Sequence, residues 1–254
     1  MNDPLQQFKI HSLIPIHIGG IDLSFTNSAL CMLLVVGLIC AILHVSVQGK
    51  HIIPTYLQIV FEKIYSFITD ITKQYIGPDS MNFFPLIFTL FLFIAGLNSI
   101  GLIPGFFTVT SQIIVTFALA LLVFLISIFF GIVRNGMHFF SLFVPKNVPF
   151  FIKPFLVFVE ILSFCFRPIS LGVRLFANMV AGHVILKLFA SFSSILIGTT
   201  GASAITSGMI RGMAILPTVL NCCMFGFEVM VALLQAYVFA LLSCIYIRDT
   251  LYLH

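Results

Sequence analysis

The chain has 254 residues, of which 60% are apolar and only 8% charged, with a mean hydropathy of +1.18. An ordinary soluble domain carries about a quarter charged residues and buries at most about 75% of its chain's surface, so a soluble fold is excluded. The net charge of +4 comes without any cluster of Lys and Arg, which speaks against a nucleic-acid partner. The solvent is membrane lipid, where only a helix or a closed barrel satisfies its own backbone. The expected fold class is all-α, as a single polytopic membrane domain over 1–254.

In chain order, 1–27 is an external N-terminal segment. Its opening, Met1-Asn2-Asp3-Pro4, lacks the basic region of a cleavable signal peptide, so the first apolar run is expected to act as its own insertion signal. Apolar runs at 28–47, 82–104 and 112–133 each approach the roughly 20 residues needed to cross a bilayer as a helix. Between the first two, 50–81 carries Lys50, Glu62, Lys63, Asp70, Lys73 and Asp79. Its apolar residues Leu57, Val60, Phe61, Ile64, Phe67, Ile68 and Ile71 recur at helical spacing, which predicts an interfacial amphipathic helix rather than a solvated linker.

The last two runs, about 155–192 and 205–247, would each be roughly 55–65 Å long, about twice the hydrocarbon thickness. The stretch between them, 193–204, is rich in Gly, Ser and Thr and carries no charge. Splitting either run would leave a turn's backbone unsatisfied in lipid, so 150–247 is read as a hairpin of two long, steeply tilted helices. Pro168 and Pro217 can kink these helices but do not mark loops. Five membrane segments place the termini on opposite sides. Lys50, Lys63, Lys73, Arg134, Lys146, Lys153 and Arg248 then share one side, leaving Lys9 and Arg211 for the other. The positive-inside rule puts the C-terminus inside and the N-terminus outside.

Ionisable groups inside a span cost several kcal/mol and point to function. The first long helix holds Glu160, Arg167, Arg174, His183 and Lys187; its partner holds Arg211, Glu228 and Gln235. Lys187 and Arg211 lie near helix ends, where they can snorkel. Glu160, Arg167 and Arg174 repeat every seven positions, with Asn178 four further on, and so form one polar stripe. Glu228 and Gln235 are likewise seven apart. A single antiparallel register, to within two residues, matches Arg174 with Gln235 and His183 with Glu228 in depth. In a straight helix, however, His183 points nearly opposite to Arg174.

Arg is a permanent cation that carries no protons, whereas His and Glu take up and release them. Such a set suits a proton path interrupted by a fixed charge. It equally suits an intramembrane ion-pair network that only fixes helix packing, and the residues alone leave both open. The six cysteines lie in or beside apolar runs without metal-ligand spacing and are expected to be buried thiols rather than disulfides or metal ligands. A haem subunit is disfavoured because only His183 lies well inside a span. An Arg-gated channel or secondary transporter remains the alternative function. It would predict an internal repeat, and none is apparent.

The stretch Arg167-Pro-Ile-Ser-Leu-Gly-Val-Arg-Leu-Phe-Ala-Asn-Met-Val-Ala-Gly-His183 closely resembles the signature of the ATP synthase subunit a family. Leu234-Gln-Ala-Tyr-Val-Phe239, Phe83-Phe-Pro85, Leu97-Asn-Ser-Ile-Gly-Leu-Ile-Pro-Gly105 and Phe107-Thr-Val-Thr-Ser111 match as well. The resemblance implies a proton-translocating stator subunit with two offset half-channels that communicate only through a rotor ring of c subunits. It implies that Arg174 faces the ring and separates the half-channels, with Asn178 and Gln235 as polar neighbours. It implies further that His183 and Glu228 form an interacting pair in one half-channel, and that Glu160 is a further acidic channel position. The implied partners are the c ring, the peripheral stalk, other membrane-sector subunits and lipid. No cofactor is implied, and nucleotide chemistry lies elsewhere, since the chain lacks a GxxxxGK[ST] loop. The terminal matches direct the expected location to the mitochondrial inner membrane, with a bacterial inner membrane as the alternative.

Overall fold

Lipid offers the backbone no hydrogen bonds, and this chain answers with long helices. The computed structural model describes residues 10–15, 17–18, 21–22, 24–48, 55–103, 105–143, 151–198, 212 and 215–252. Within them run α1 (Asn27–Gln48), α2 (Tyr56–Ile76), α3 (Ser80–Gly101), α4 (Ile113–Asn135), α5 (Lys153–Gly198) and α6 (Ile215–Leu251). Five helical stretches are long and apolar enough to cross a membrane. The all-α polytopic reading therefore holds, with one addition that the sequence did not announce. Short strands β1 (Ser12–Ile14), β2 (His17–Ile18), β3 (Ile21–Asp22) and β4 (Phe25–Thr26) pair antiparallel, β1 with β4 and β2 with β3, into a small hairpin before α1. Lys9, Lys50, Lys146, Arg211 and the stretch 199–204 lie outside the described residues.

The expected amphipathic helix is α2, and its apolar stripe divides its work. Ile68, Ile71 and Ile76 are buried against Phe83, Phe84 and Ile87 of α3 and against Ala240, Cys244 and Ile247 of α6. Leu57, Val60 and Phe67 stay exposed. A short 3₁₀ turn, Gly77–Asp79, joins α2 to α3. It begins at Gly77 with φ of 82°, a backbone that side chains resist, and its amide returns to the Lys73 carbonyl.

The hydrophobic effect does little to join helices in lipid, so close approach through small residues must do more. The central cluster shows how. Ala120 of α4 and Ala236 of α6 let Leu90 and Ile94 of α3, Leu171 and Leu175 of α5, and Phe239 of α6 meet in one buried core. At Gly172 of α5 a Cβ would stand 3.0 Å from the Phe117 Cα and 3.2 Å from the Thr116 carbonyl oxygen, so α4 and α5 touch backbone to backbone there.

The first long helix exceeds its apolar run of 155–192, while the second, described from Ile215, falls at the lower end of the expected length. α5 has 46 residues and passes through Pro168 without a break, and α6 has 37. At 1.5 Å per residue they span roughly 69 and 55 Å. Pro217 is not a mid-helix kink. It falls in the first turn of α6, where a missing N–H removes no helix bond.

At one end of the bundle the α2–α3 turn, the end of α4 and the end of α6 are tied together. Asp79 accepts from Arg134, and from the Tyr252 hydroxyl at 2.8 Å. Asn135 donates to the carbonyls of Thr250 at 3.0 Å and Leu251 at 3.3 Å, satisfying the last turn of α6. The Arg134 guanidinium, with the Tyr252 hydroxyl, holds the Asp79 carboxyl below its ordinary value.

Candidate functional site

Antiparallel packing of α5 on α6 brings their polar residues together in three steps. At the first, Arg167 bonds Asp249 at 2.9 Å, and its guanidinium lies 5.4 Å from the Phe164 ring centre and 5.5 Å from that of Tyr246. This cation is fully accommodated. Two turns on, Arg174 is exposed, and among the described residues it makes no hydrogen bond or ion pair.

At the second step Asn178 donates to Gln235 Oε1 at 3.0 Å. Gln235 thus meets the chain one helical turn beyond Arg174, the partner that depth alone suggested. Its own amide nitrogen is buried without a protein acceptor.

The third step holds His183 and Glu228, whose Nε2 and Oε1 atoms lie 3.8 Å apart with side chains 12% and 5% exposed. That is within reach of an ion pair but too long for a hydrogen bond. Among the described residues neither carboxyl oxygen of Glu228 has a hydrogen-bond partner. A buried carboxyl in that condition requires a proton, a cation or a water to offset its desolvation. Asn221, Glu228 and Gln235, spaced seven apart on α6, each carry a buried polar atom with no partner among the described residues, so the need recurs along one stripe of the helix.

The conflict over the direction of His183 is resolved by two residues that the helical wheel did not weigh. Gly182 removes a side chain from α5 where Glu228 arrives: a Cβ there would stand 2.5 Å from Glu228 Oε1 and 2.8 Å from its carboxyl carbon. The carboxyl therefore lies across the α5 backbone and meets the imidazole from the side. Thr108, in the α3–α4 connection, approaches the same ring with its hydroxyl 3.2 Å from Nε2.

Beside this pair opens a cavity of about 400 Å³, lined on one side by Gly101, Phe106 and Thr108 from the end of α3 and the connection to α4, and on the other by His183, Lys187, Thr218, Asn221 and Cys222. Deeper in, Asn98 of α3 is fully buried, donates to the Ala232 carbonyl at 3.0 Å, and leaves its own Oδ1 without a partner among the described residues. Ala232 lies midway between Glu228 and Gln235, so Asn98 reaches α6 between the second and third steps. Its signal was available in the sequence: an amide inside an apolar run.

Glu160 is the candidate the geometry does not gather in. It is half-buried near the start of α5, and among the described residues it makes no ion pair. All six cysteines are free thiols. Only Cys31 and Cys244 are buried, while Cys40, Cys165, Cys222 and Cys223 are exposed, against the expectation that all would be buried. The difference follows from the solvent, because a thiol facing lipid loses little. Among the described residues no three His, Cys, Asp or Glu side chains converge as a metal site.

Residues 29–248 match the family described as the ATP synthase A chain. Among similar proteins, the ATP synthase subunit a of Rhizobium rhizogenes (strain K84 / ATCC BAA-868) is 49% identical over 251 residues, covering 99% of this chain and 98% of the relative. Those of Sinorhizobium fredii (strain NBRC 101917 / NGR234) and Rhodopseudomonas palustris (strain BisB5) are each 47% identical over 251 residues, covering 99% and 98% of this chain and 98% of each relative. These relatives are bacterial. They fit the bacterial inner membrane named as the alternative and give no support to the mitochondrial expectation.

Proposed function

We propose a route for protons through this chain, which belongs to the ATP synthase A chain family and is a multi-pass proton-translocating subunit of that complex. One half-channel opens from the outer side through the cavity beside His183 and Glu228. A second, laterally displaced, opens to the inner side. The two communicate only through carboxyl groups on a rotor ring of c subunits that passes the exposed face of α5 at Arg174 and Asn178.

The observation that carries this reading is the contrast along the hairpin. A buried carboxyl with no hydrogen-bond partner among the described residues (Glu228) faces an imidazole that lines a cavity (His183), and a permanent cation with no hydrogen bond or ion pair among those residues sits on an exposed face (Arg174). In the proposed cycle, a proton from the cavity passes through His183 and Glu228 to a rotor carboxylate and neutralises it, so that it can travel through lipid. On its return the carboxyl meets Arg174. At about 4 Å and an effective dielectric of about 20, attraction between the two charges is about 4 kcal/mol, enough to expel the proton inward. Arg174 cannot itself be deprotonated, so it also blocks a direct leak. Gln235 and Asn178 hold the polar path between Glu228 and Arg174. Each proton crossing about 100 mV releases about 2.3 kcal/mol. This chain performs no nucleotide chemistry, and Glu160 marks a further polar position on α5.

The gathering of Arg134, Asp79 and Tyr252 at the end of the bundle that holds the C-terminus of α6 supports an inner location for that end.

The test is proton pumping and ATP-driven rotation by the assembled complex carrying Arg174→Ala, beside Arg174→Lys. Loss of coupled transport in the Ala variant, with normal assembly and increased passive proton leak, supports the separator role. Coupled transport near the normal rate in the Ala variant would make Arg174 a packing element and overturn the mechanism.

A further inference from the structure

Thr108 is more firmly built than a connection residue needs to be. It stands with extended backbone (φ −84°, ψ 98°) just before the 3₁₀ turn Val109–Ser111. Its carbonyl accepts from the Ser111 amide at 3.3 Å and from the Ser111 hydroxyl at 2.6 Å. Its methyl group faces Gly101, where a Cβ would lie 3.0 Å from Thr108 Cγ2. The residue is 4% exposed. The side-chain hydroxyl is thereby held between two groups: the Gly101 carbonyl at 3.3 Å and His183 Nε2 at 3.2 Å.

A hydroxyl has one proton to donate and lone pairs with which to accept. When Nε2 is unprotonated, the Thr108 hydroxyl donates to it. When Nε2 carries a proton, the ring N–H donates to Thr108 Oγ1, and the hydroxyl turns to the Gly101 carbonyl, one of the last carbonyls of α3 that the helix leaves unpaired. The imidazole edge is hydrogen-bonded in both states without turning the ring. The charged groups facing that edge among the described residues are Glu228 from α6, 3.8 Å away, and Lys187 from the next turn of α5; the α3–α4 connection contributes a neutral hydroxyl.

We infer that Thr108 is a positioning residue for proton transfer, whose hydroxyl serves both protonation states of His183 Nε2 and keeps that atom turned toward Glu228. The inference rests on the reading of His183 and Glu228 as the inlet pair.

Two substitutions separate hydroxyl from shape. Thr108→Val keeps the shape and removes the hydroxyl, whereas Thr108→Ser keeps the hydroxyl and removes the methyl packed on Gly101. The measurement is ATP-driven proton pumping in membrane vesicles holding the whole complex, normalised to assembled subunit. Thr108→Val is expected to slow pumping about three- to tenfold, the worth of one net hydrogen bond, and Thr108→Ser to restore it. In a His183→Ala background, adding Thr108→Val is expected to change the residual rate no further, because the two residues act through one contact. If Thr108→Val does not assemble, Thr108→Ala takes its place in the same comparison with Ser. Normal pumping without the hydroxyl, or a Ser variant slower than the Val variant, would show a packing role and overturn the inference. Normal pumping in His183→Ala alone would overturn the inlet reading itself, a failure visible before any change at Thr108.

Discussion

Arg167 and Arg174 stand seven residues apart on one stripe of α5 and meet opposite surroundings. Arg167 has a carboxylate at 2.9 Å and two aromatic rings against its guanidinium. Arg174 is exposed and makes no hydrogen bond or ion pair among the described residues. The same division extends across the hairpin. The end near Arg167 is closed by the Asp249 pair and by the Asp79, Arg134 and Tyr252 cluster. The end near Glu228 leaves a carboxyl, an amide nitrogen and an amide oxygen unsatisfied. An unsatisfied buried polar group costs about 1–3 kcal/mol, and a fold has no stability reason to keep three on one helix. The closed end reads as structure and the open end as a place where protons and water complete the bonding.

Substitutions at the two ends should therefore fail in different ways. The largest effect is expected at the open end. Glu228→Gln keeps the size of the side chain and removes its capacity to carry a proton. Proton pumping should fall by about 10²-fold or more, as for loss of a proton-transfer group, while the amount of assembled complex stays normal. Equal pumping by the Gln variant would place Glu228 with the packing residues and erase the contrast.

Next in size is Gly182→Ala. The added carbon would collide with the Glu228 carboxyl, whose nearest oxygen lies 2.5 Å from its position. The carboxyl can swing aside, so assembly should survive, but its alignment with His183 cannot. A misplacement of about 1 Å is enough to cost up to about 10²-fold in rate, and a fall of ten- to a hundredfold is expected. Gly172→Ala is the control: its added carbon meets the backbone of α4, which cannot swing aside, and assembly should suffer first.

At the closed end Asp249→Asn should reverse the pattern. Removing the carboxylate leaves a partly buried guanidinium between two rings without its counter-charge, a cost of about 1–3 kcal/mol. The expected result is a lower temperature of subunit dissociation for the purified complex, with the pumping rate per complex near normal. A large loss of rate without loss of stability would join this end to the proton path.

How much of this contrast could be read without coordinates depends on which physical signal each part leaves. That each of the last two runs forms one long helix, and that His183 and Glu228 match in depth, follow from apolar run length and register, whereas the facing of that pair does not. The register of Gln235 came out one turn off, because equal depth on two helices does not fix which residues touch, and the amide reaches Asn178 instead. Gly182 and Thr108 lie within motifs that do not reveal their roles. One acts by lacking a side chain, and the other is brought in by a connection whose path no periodicity encodes. Asp249 lies just beyond the apolar run that ends at 247, so run length and stripe spacing give no sign that it pairs with Arg167. The strands β1 to β4, of two or three residues each, are too short for alternation to register in the sequence.

The smallest expected effect tests whether the closed end is truly structural. Asp79 sits in the turn between α2 and α3, and Arg134 and Tyr252 hold its carboxyl below the ordinary value of 3.8. A carboxyl whose proton affinity is reduced by folding contributes stability above its unfolded pKa, and that contribution disappears as pH falls through the lowered folded value. Acidification from about pH 5 toward pH 3 should therefore weaken the attachment of the α2–α3 turn to the ends of α4 and α6 in the native chain. Asp79→Asn lacks the titrating group, so its stability should be lower at neutral pH and change less across this window. The group is partly exposed to solvent, so the difference should be small and shrink with added salt. Amide hydrogen exchange at 76–80 and 248–252, compared between native and Asp79→Asn complexes across that pH range, reads it directly. A native chain whose exchange at these sites ignores pH as the variant does would mean that Asp79, Arg134 and Tyr252 are neighbours without energetic consequence. The stability of the closed end would then rest on the Arg167–Asp249 pair and the buried apolar contacts alone.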